Sequence, residues 1–197
     1  VLLSMRRMSG GEAHRHGDLT ATVPAGTTLS VVNAALAEHR QWLALDPPDP
    51  DTATIGGIVA TNDSGPHRHW HGAPRDLIIG MTLARADGVM AHSGGIVVKN
   101  VAGYDLCKLM VGSGGTLAVV TEVTLKLKPL PEASAIGFAC FDRGETVQDL
   151  LGDLATSRAR PVAIELLGPK ASRQVAAESR HDLPTGPLLL GIGLEGS

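Results

Sequence analysis

Aromatic side chains make up only 3% of this sequence. That scarcity removes the stacking platforms on which proteins lay single-stranded nucleic acid. A formal net charge of -3 offers no basic footprint for DNA, RNA or an acidic membrane surface. Cysteine is nearly absent: Cys107 and Cys140 stand far apart and no C-x-x-C occurs. Neither a disulfide framework nor a cysteine-based zinc cluster is written here, and a reducing cytoplasm is the expected compartment. No apolar run reaches the ~18 residues of a membrane span, and no secretory signal is visible. No Gly-x-Ser-x-Gly elbow and no glycine loop ending in Gly-Lys-Ser/Thr is present, so nothing supports a hydrolase or a nucleoside-triphosphate site.

What is present is glycine and proline, 24 and 12 in 197 residues, within a composition that is 43% hydrophobic and 19% charged. That is an ordinary globular balance with many tight turns. Length allows one large domain or two small ones. The chain opens at Val1 without methionine and closes just after a strand-like run, so we expect a fragment of a longer protein.

Asp18 to Ala25 alternates and ends in Pro-Ala-Gly, which predicts a strand entering a turn. Thr27 or Thr28 is placed to cap a helix running to about Arg40, with Leu29, Val32, Leu36 and also Ala35 on its buried face. Trp42 to Leu45 predicts a short strand, and Asp46 to Asp51 a stiff loop. Residues 63 to 75 have no apolar period and predict a loop. Leu77 to Ala86 predicts a strand, Asp87-Gly88 a hairpin turn, and Val89 to His92 the return strand. Gly94 to Val98 starts another strand, and Asp105 to Val111 makes a helical turn. Thr116 to Lys128 gives the cleanest alternation, with Leu117, Val119, Thr121, Val123, Leu125 and Leu127 on one face. Pro129-Leu130-Pro131 breaks the pattern and is the expected domain boundary. Beyond it the order is strand (135–141), helix (145–157), strand (162–167), helix (171–180) and strand (188–194), the start of a second α+β domain.

The most informative stretch is residues 54 to 65, Thr-Ile-Gly-Gly-Ile-Val-Ala-Thr-Asn-Asp-Ser-Gly. Gly56 and Gly57 lack a Cβ, so a ligand can approach the backbone and amides can point outward as a nest for an anion. A helical turn behind them would add a positive dipole end. Thr61, Asn62 and Ser64 add polar groups. The same residues also make an ordinary tight turn. A second glycine turn, Gly112 to Thr116, again joins glycines to hydroxyls just before a strand. Two such turns suit an extended, two-headed ligand better than a single phosphate.

Other candidates carry duller readings beside the functional one. Gly191-Ile192-Gly193-Leu194-Glu195-Gly196 matches G-x-G-x-x-G but lacks the helix and acidic residue that a dinucleotide fingerprint needs. It reads as a glycine-containing strand. His67, His69 and His71 would face one way on an extended segment and suit zinc or copper. With no cysteine or carboxylate inside the cluster, a polar loop is preferred and no metal site is assigned. Lys99-Asn100-Val101-Ala102-Gly103-Tyr104-Asp105 is either a connector whose Asp105 caps the next helix or a wall of a cofactor pocket. Arg75-Asp76 is a surface pair or fixes the loop before the hairpin.

Five segments in this order, 54–57, 60–65, 75–80, 99–105 and 112–117, resemble the FAD-binding domain of the vanillyl-alcohol oxidase (PCMH) type. Within that type the chain is similar to the FAD-binding subunit of bacterial glycolate oxidase, a relative of D-lactate dehydrogenases. The likeness runs from about Asp18 to Pro131. It implies an α+β fold clasping FAD, here without the glycine-rich phosphate loop that the family carries upstream, over residues 1–131. Residues 132–197 would begin an α+β, ferredoxin-like cap domain. It also implies cofactor contacts at Thr54, Gly56, Gly57, Thr61, Asn62, Ser64, Gly65, Gly112 and Thr116, and backbone contacts around Val119 and Val120. Ala118 stands where the family's pattern has glycine. The implied activity is FAD-dependent oxidation of a 2-hydroxy acid within a glycolate oxidase-like complex. Alternatively the chain holds FAD or assists assembly while a partner chain does the chemistry. The implied location is the cytoplasm, or the inner-membrane surface through partner subunits. No catalytic residue is assigned; His69, Tyr104 and Lys99 are the titratable groups considered.

Overall fold

The computed structural model describes residues 4–5, 7–11, 13–95, 104–179, 182–184 and 186–196. The expected segment Lys99–Gly103, the strand beyond Gly95 and the helix end at Arg180 lie outside the described residues. The chain forms two compact units, Val1–Gly65 with His71–Leu130, and Pro66–Trp70 with Pro131–Ser197.

The first unit opens with β1 (Ala13–Arg15) and β2 (Thr20–Pro24), followed by helix α1 (Leu29–Ala37). Thr28 is the extended residue before α1, but its hydroxyl makes no capping bond to the helix. Leu29, Val32 and Leu36 are fully buried along one stripe, each contributing roughly 1.5–3 kcal/mol of apolar burial. β3 is only Gln41–Trp42. The expected strand through Leu45 is cut short because Leu43 donates its amide to the Asn33 side chain at 2.8 Å instead of to a ladder.

Helix α2 (Ile55–Thr61) follows, then short helices α3 (Arg68–His71), whose first three residues belong to the second unit, and α4 (Pro74–Leu77). The last two correct the expected loop over 63–75. Pro74 sits at the first helical position, where its missing N–H costs nothing. The Asp76 carboxylate accepts from the Ala73 amide at 2.9 Å. Strands β4 (Ile78–Ala84) and β5 (Met90–Gly94) form the expected hairpin. Gly88 turns it at φ 83°, and Asp87 accepts from the Val89 amide.

Helix α5 (Leu106–Met110) and strands β6 (Val119–Lys126) and β7 (Lys128–Pro129) complete the unit. The main sheet runs β1-β2-β6-β4-β5, antiparallel throughout. β6 is therefore central. Its pattern is not the expected alternation: Val120, Thr121, Val123, Thr124 and Leu125 are all buried, while Glu122 between them is exposed, so most of both faces is covered by packing. It also begins at Val119, and Leu117 is exposed.

The second unit contains β8 (Ala133–Phe141), α6 (Gly144–Thr156), β9 (Ala163–Leu167), α7 (Pro169–Glu178) and β10 (Leu188–Gly196). Its sheet order is β8-β10-β9, with β10 antiparallel to both neighbours. The G-x-G-x-x-G run lies inside β10, as a strand. A Cβ on Gly193 would come within 3.0 Å of the Ala163 Cβ, and one on Gly191 within 3.1 Å of the Phe138 ring. These glycines serve close packing.

Candidate cofactor-binding site

Thr54 begins the site. It precedes α2 in extended conformation, and its Oγ1 accepts from the Gly57 amide at 3.1 Å. The next amides are equally committed. Ile55 donates to the Thr27 carbonyl at 2.9 Å and Gly56 to the Ala25 carbonyl at 2.8 Å. The outward-pointing nest expected from the Gly-Gly pair is therefore not formed by these amides. Buried backbone donors find partners within the protein, and Thr27 and Ala25 supply the carbonyls.

The two glycines have different jobs. A Cβ on Gly56 would lie 2.8 Å from the Ala25 Cβ and 3.0 Å from its carbonyl oxygen. Gly56 allows α2 to touch the turn after β2. A Cβ on Gly57 would meet only the Thr54 hydroxyl, at 3.0 Å, and Gly57 is exposed.

The far end of α2 is where the sequence-derived residues gather. Thr61 donates its hydroxyl to the Gly57 carbonyl at 2.9 Å. Asn62 ends the helix in the left-handed region at φ 57°, a conformation that asparagine tolerates better than most. Gly112 donates to the Val59 carbonyl at 2.9 Å, and Gly114 to the Ala60 carbonyl at 2.8 Å. These are last-turn carbonyls of α2; that of Val59 also accepts from the Asn62 amide at 3.3 Å. The second glycine turn thus caps the helix that follows the first. Gly112, Gly114 and Gly115 all have positive φ, of 76°, 61° and 71°. A Cβ at Gly114 or Gly115 would meet nothing within 4 Å. Thr116 closes the turn, donating its hydroxyl to the Ser113 carbonyl at 2.7 Å.

The remaining expected residues stand apart from this cluster. Gly65 donates its amide to Asp46 at 2.9 Å. Ser64 is half-buried beside it. Val119 and Val120 pair with Ala84 and Leu83 of β4, and Val120 is 7% exposed in the core. The ladder from β2 to β6 ends at Glu122. Asp46 and Ala25 are neighbours that the sequence reading missed. The signal for Asp46 was its place before Pro47-Pro48, which fixes the chain locally; nothing in the sequence marked Ala25.

The other candidates resolve as follows. Arg68–His71 is helical, so the premise that alternate histidines share a face on an extended segment fails. His67 lies 3.8 Å from Glu195 within the second unit, and His71 meets the Trp42 ring edge-on at 5.5 Å within the first. His69 is exposed, Tyr104 is 93% exposed, and Lys99 lies outside the described residues. Asp105 caps α5, accepting from the Lys108 amide at 3.1 Å with the Lys108 ammonium at 3.0 Å. Those hydrogen bonds from Lys108 hold its carboxyl below the ordinary value of 3.8. Burial pushes the Cys107 thiol up, and its Sγ lies 3.5 Å from the Ser93 carbonyl oxygen, to which it donates.

A bulky phosphate-bearing cofactor needs backbone that it can approach and polar groups around it. The side-chain-free surfaces of Gly57, Gly114 and Gly115 meet the first need, and the hydroxyls of Thr61 and Thr116 with the Asn62 amide group meet the second. The fold and site define an α+β domain suited to such a cofactor. Residues 1–94 match the family described as the FAD binding domain. Among curated proteins, the chain is 39% identical over 148 residues to the glycolate oxidase subunit GlcE of Escherichia coli, covering 75% of this chain and 41% of that one. It is 34% identical over 172 residues to the glycolate oxidase subunit GlcD of Bacillus subtilis, covering 85% and 36%. It is 32% identical over 172 residues to a D-lactate dehydrogenase of Archaeoglobus fulgidus, covering 87% and 38%. Among solved structures, alkyldihydroxyacetonephosphate synthase shares the fold with a TM-score of 0.80 at 22% identity, covering 98% of this chain and 38% of that one. Over residues 1–94 the chain is similar to the PCMH-type FAD-binding domains. It spans 36–41% of the length of the relatives named here.

Proposed function

We propose that this chain is the FAD-holding part of a flavoprotein that oxidises a small 2-hydroxy acid, working with other subunits of a glycolate oxidase-like complex. The observation that supports this most is the capping of α2 by the second glycine turn, which sets Gly57, Thr61, Asn62, Gly112 and Thr116 on one helix and its cap. The similarity to two glycolate oxidase subunits and to a D-lactate dehydrogenase points to the substrate class.

In this reading residues 1–131 hold FAD and residues 132–197 begin the cap domain. Bound FAD supplies a two-electron acceptor for the hydride that leaves the α-carbon of the acid. The hydroxyl proton must pass to a base as the 2-oxo acid forms. The chain's own part is to bind and orient. Thr61 and Thr116 present hydroxyls, Asn62 its amide, and the open glycines let a diphosphate come close to the backbone. Val119 and Val120, on the strand that follows, are assigned to the adenosine end. No helix among the described residues is long and apolar enough to cross a membrane, which fits a cytoplasmic protein or one held at the inner membrane by its partners.

A second reading is favoured by the fact that two of these relatives are named as subunits. The chain holds FAD or supports assembly, and a partner chain turns substrate over. Full-length protein, purified alone and soaked in FAD, separates the readings. Flavin uptake with glycolate- or D-lactate-dependent dye reduction supports the first. Uptake without turnover supports the second. A protein that stays colourless overturns the first reading and leaves of the second only the support of assembly.

A further inference from the structure

The loop Asn62–Gly65 is held at both ends, and one of the holders is a carboxylate outside the set of cofactor residues. At its start, Asn62 donates its amide to the Val59 carbonyl at 3.3 Å and Asp63 to the Ile58 carbonyl at 3.1 Å. These bonds tie the loop to the end of α2. At its finish, the Gly65 amide donates to Asp46 Oδ1 at 2.9 Å. The approach is so close that a Cβ on Gly65 would stand 2.6 Å from Asp46 Oδ2. Only glycine fits against this carboxylate.

Asp46 is itself mounted rigidly. Leu43, Ala44, Leu45 and Pro47 around it are buried. Leu43 is clamped by Asn33, accepting at 3.3 Å and donating at 2.8 Å. Pro47 fixes its own φ and restricts Asp46 to extended conformations. The carboxylate therefore transmits the position of the core to the Gly65 amide, and through it to the loop that carries Asn62 and Ser64.

We infer that Asp46 is a positioning residue for the cofactor loop, acting through the Gly65 amide and not by touching the cofactor. This rests on the FAD reading above. The role needs an acceptor oxygen at Oδ1 for the Gly65 amide. Asparagine keeps the acceptor and drops the charge. A carboxylate bond to a backbone amide is among the stronger kinds, so removing the acceptor should loosen the loop measurably.

The test is a titration of full-length apoprotein with FAD, followed by quenching of flavin fluorescence, for wild type, D46N, D46A and D46S. Thermal melting of each apoprotein is measured alongside. D46N is expected to bind as tightly as wild type. D46A and D46S, which carry no acceptor at this reach, are expected to bind about tenfold more weakly or worse, about 1.4 kcal/mol. If D46A fails to fold, D46S carries the comparison. If both fail while D46N folds, the residue serves the fold and the inference is overturned. Equal affinity of wild type and the alanine or serine variant also overturns it. So does a D46N protein as weak as D46A, since the charge would then be what matters. A wild type that takes up no FAD overturns the cofactor reading and this inference with it; the other outcomes leave that reading standing.

Discussion

The amide of Gly112 sits 2.9 Å from the carbonyl oxygen of Val59, and this bond joins two glycine turns that are far apart in the sequence. Its neighbour, Gly114 to Ala60 at 2.8 Å, doubles the link. Helix ends usually find their missing partners in the next few residues or in water. Here α2 adds to its local partners, Asn62 and Asp63, a distant turn whose three positive-φ glycines leave its outer surface bare.

The Gly56-Gly57 pair predicts two different mutant phenotypes. Gly56→Ala places a methyl 2.8 Å from the Ala25 Cβ, and overpacking of this kind costs about 1–3 kcal/mol. Its melting temperature should fall clearly. Gly57→Ala meets only the Thr54 hydroxyl, and alanine's helix propensity offsets that contact. Its stability should change by less than about 1 kcal/mol, while flavin affinity falls. Thermal denaturation and flavin titration of both variants check this; matching behaviour in the two assays would remove the distinction between a packing glycine and a ligand-facing one.

The thiols should differ in reactivity. Cys107 is 4% exposed and its thiol is pushed up by burial, so little nucleophilic thiolate forms there. Cys140 is half-buried. Native protein treated with a thiol-specific disulfide reagent near pH 8 should modify Cys140 first, and Cys107 at full rate only in denaturant. Mass spectrometry of timed samples would show the order, and early labelling of Cys107 would contradict its burial.

The Asp105 cap should make part of the stability pH-dependent. Hydrogen bonding from Lys108 lowers its carboxyl below 3.8 in the folded protein. A depressed folded value means that the contribution is present above the unfolded value and lost as pH falls through the folded one. The melting-temperature gap between wild type and Asp105→Ala should therefore hold from neutral pH down to about 5 and shrink below 3.8. Melts across that range check it. The gap should be small, because the pair is exposed and screened.

Much of the architecture was readable from local pattern. The hairpin at Asp87-Gly88, the buried stripe of α1 and the five elements of the second unit follow from periodicity and turn chemistry, because neighbours in sequence decide them. The α+β class followed from their order. The failures share a cause. The burial pattern of β6 hides in its sequence, since it depends on what packs over each face of the sheet. Residues 63–75 looked like loop because four-residue helices are too short to show a period, although Pro74 marked a helix start. The committed amides of Ile55 and Gly56 could not be foreseen, because their acceptors, Thr27 and Ala25, lie on another element. The glycines were legible as glycines; which one packs and which one faces outward was decided by Ala25.

Because Gly114 meets the Ala60 carbonyl, and Gly112 joins the adjacent Asn62 on that of Val59, the end of α2 is completed in part by residues beyond β5. The intervening hairpin must be threaded and the long excursion closed before the helix end is satisfied, an entropic penalty that grows with the span. During refolding the platform around Asn62 and Gly114 should therefore mature late, after the hairpin, and solvent deuterium should reach the Gly112 and Gly114 amides sooner than it reaches the central strand.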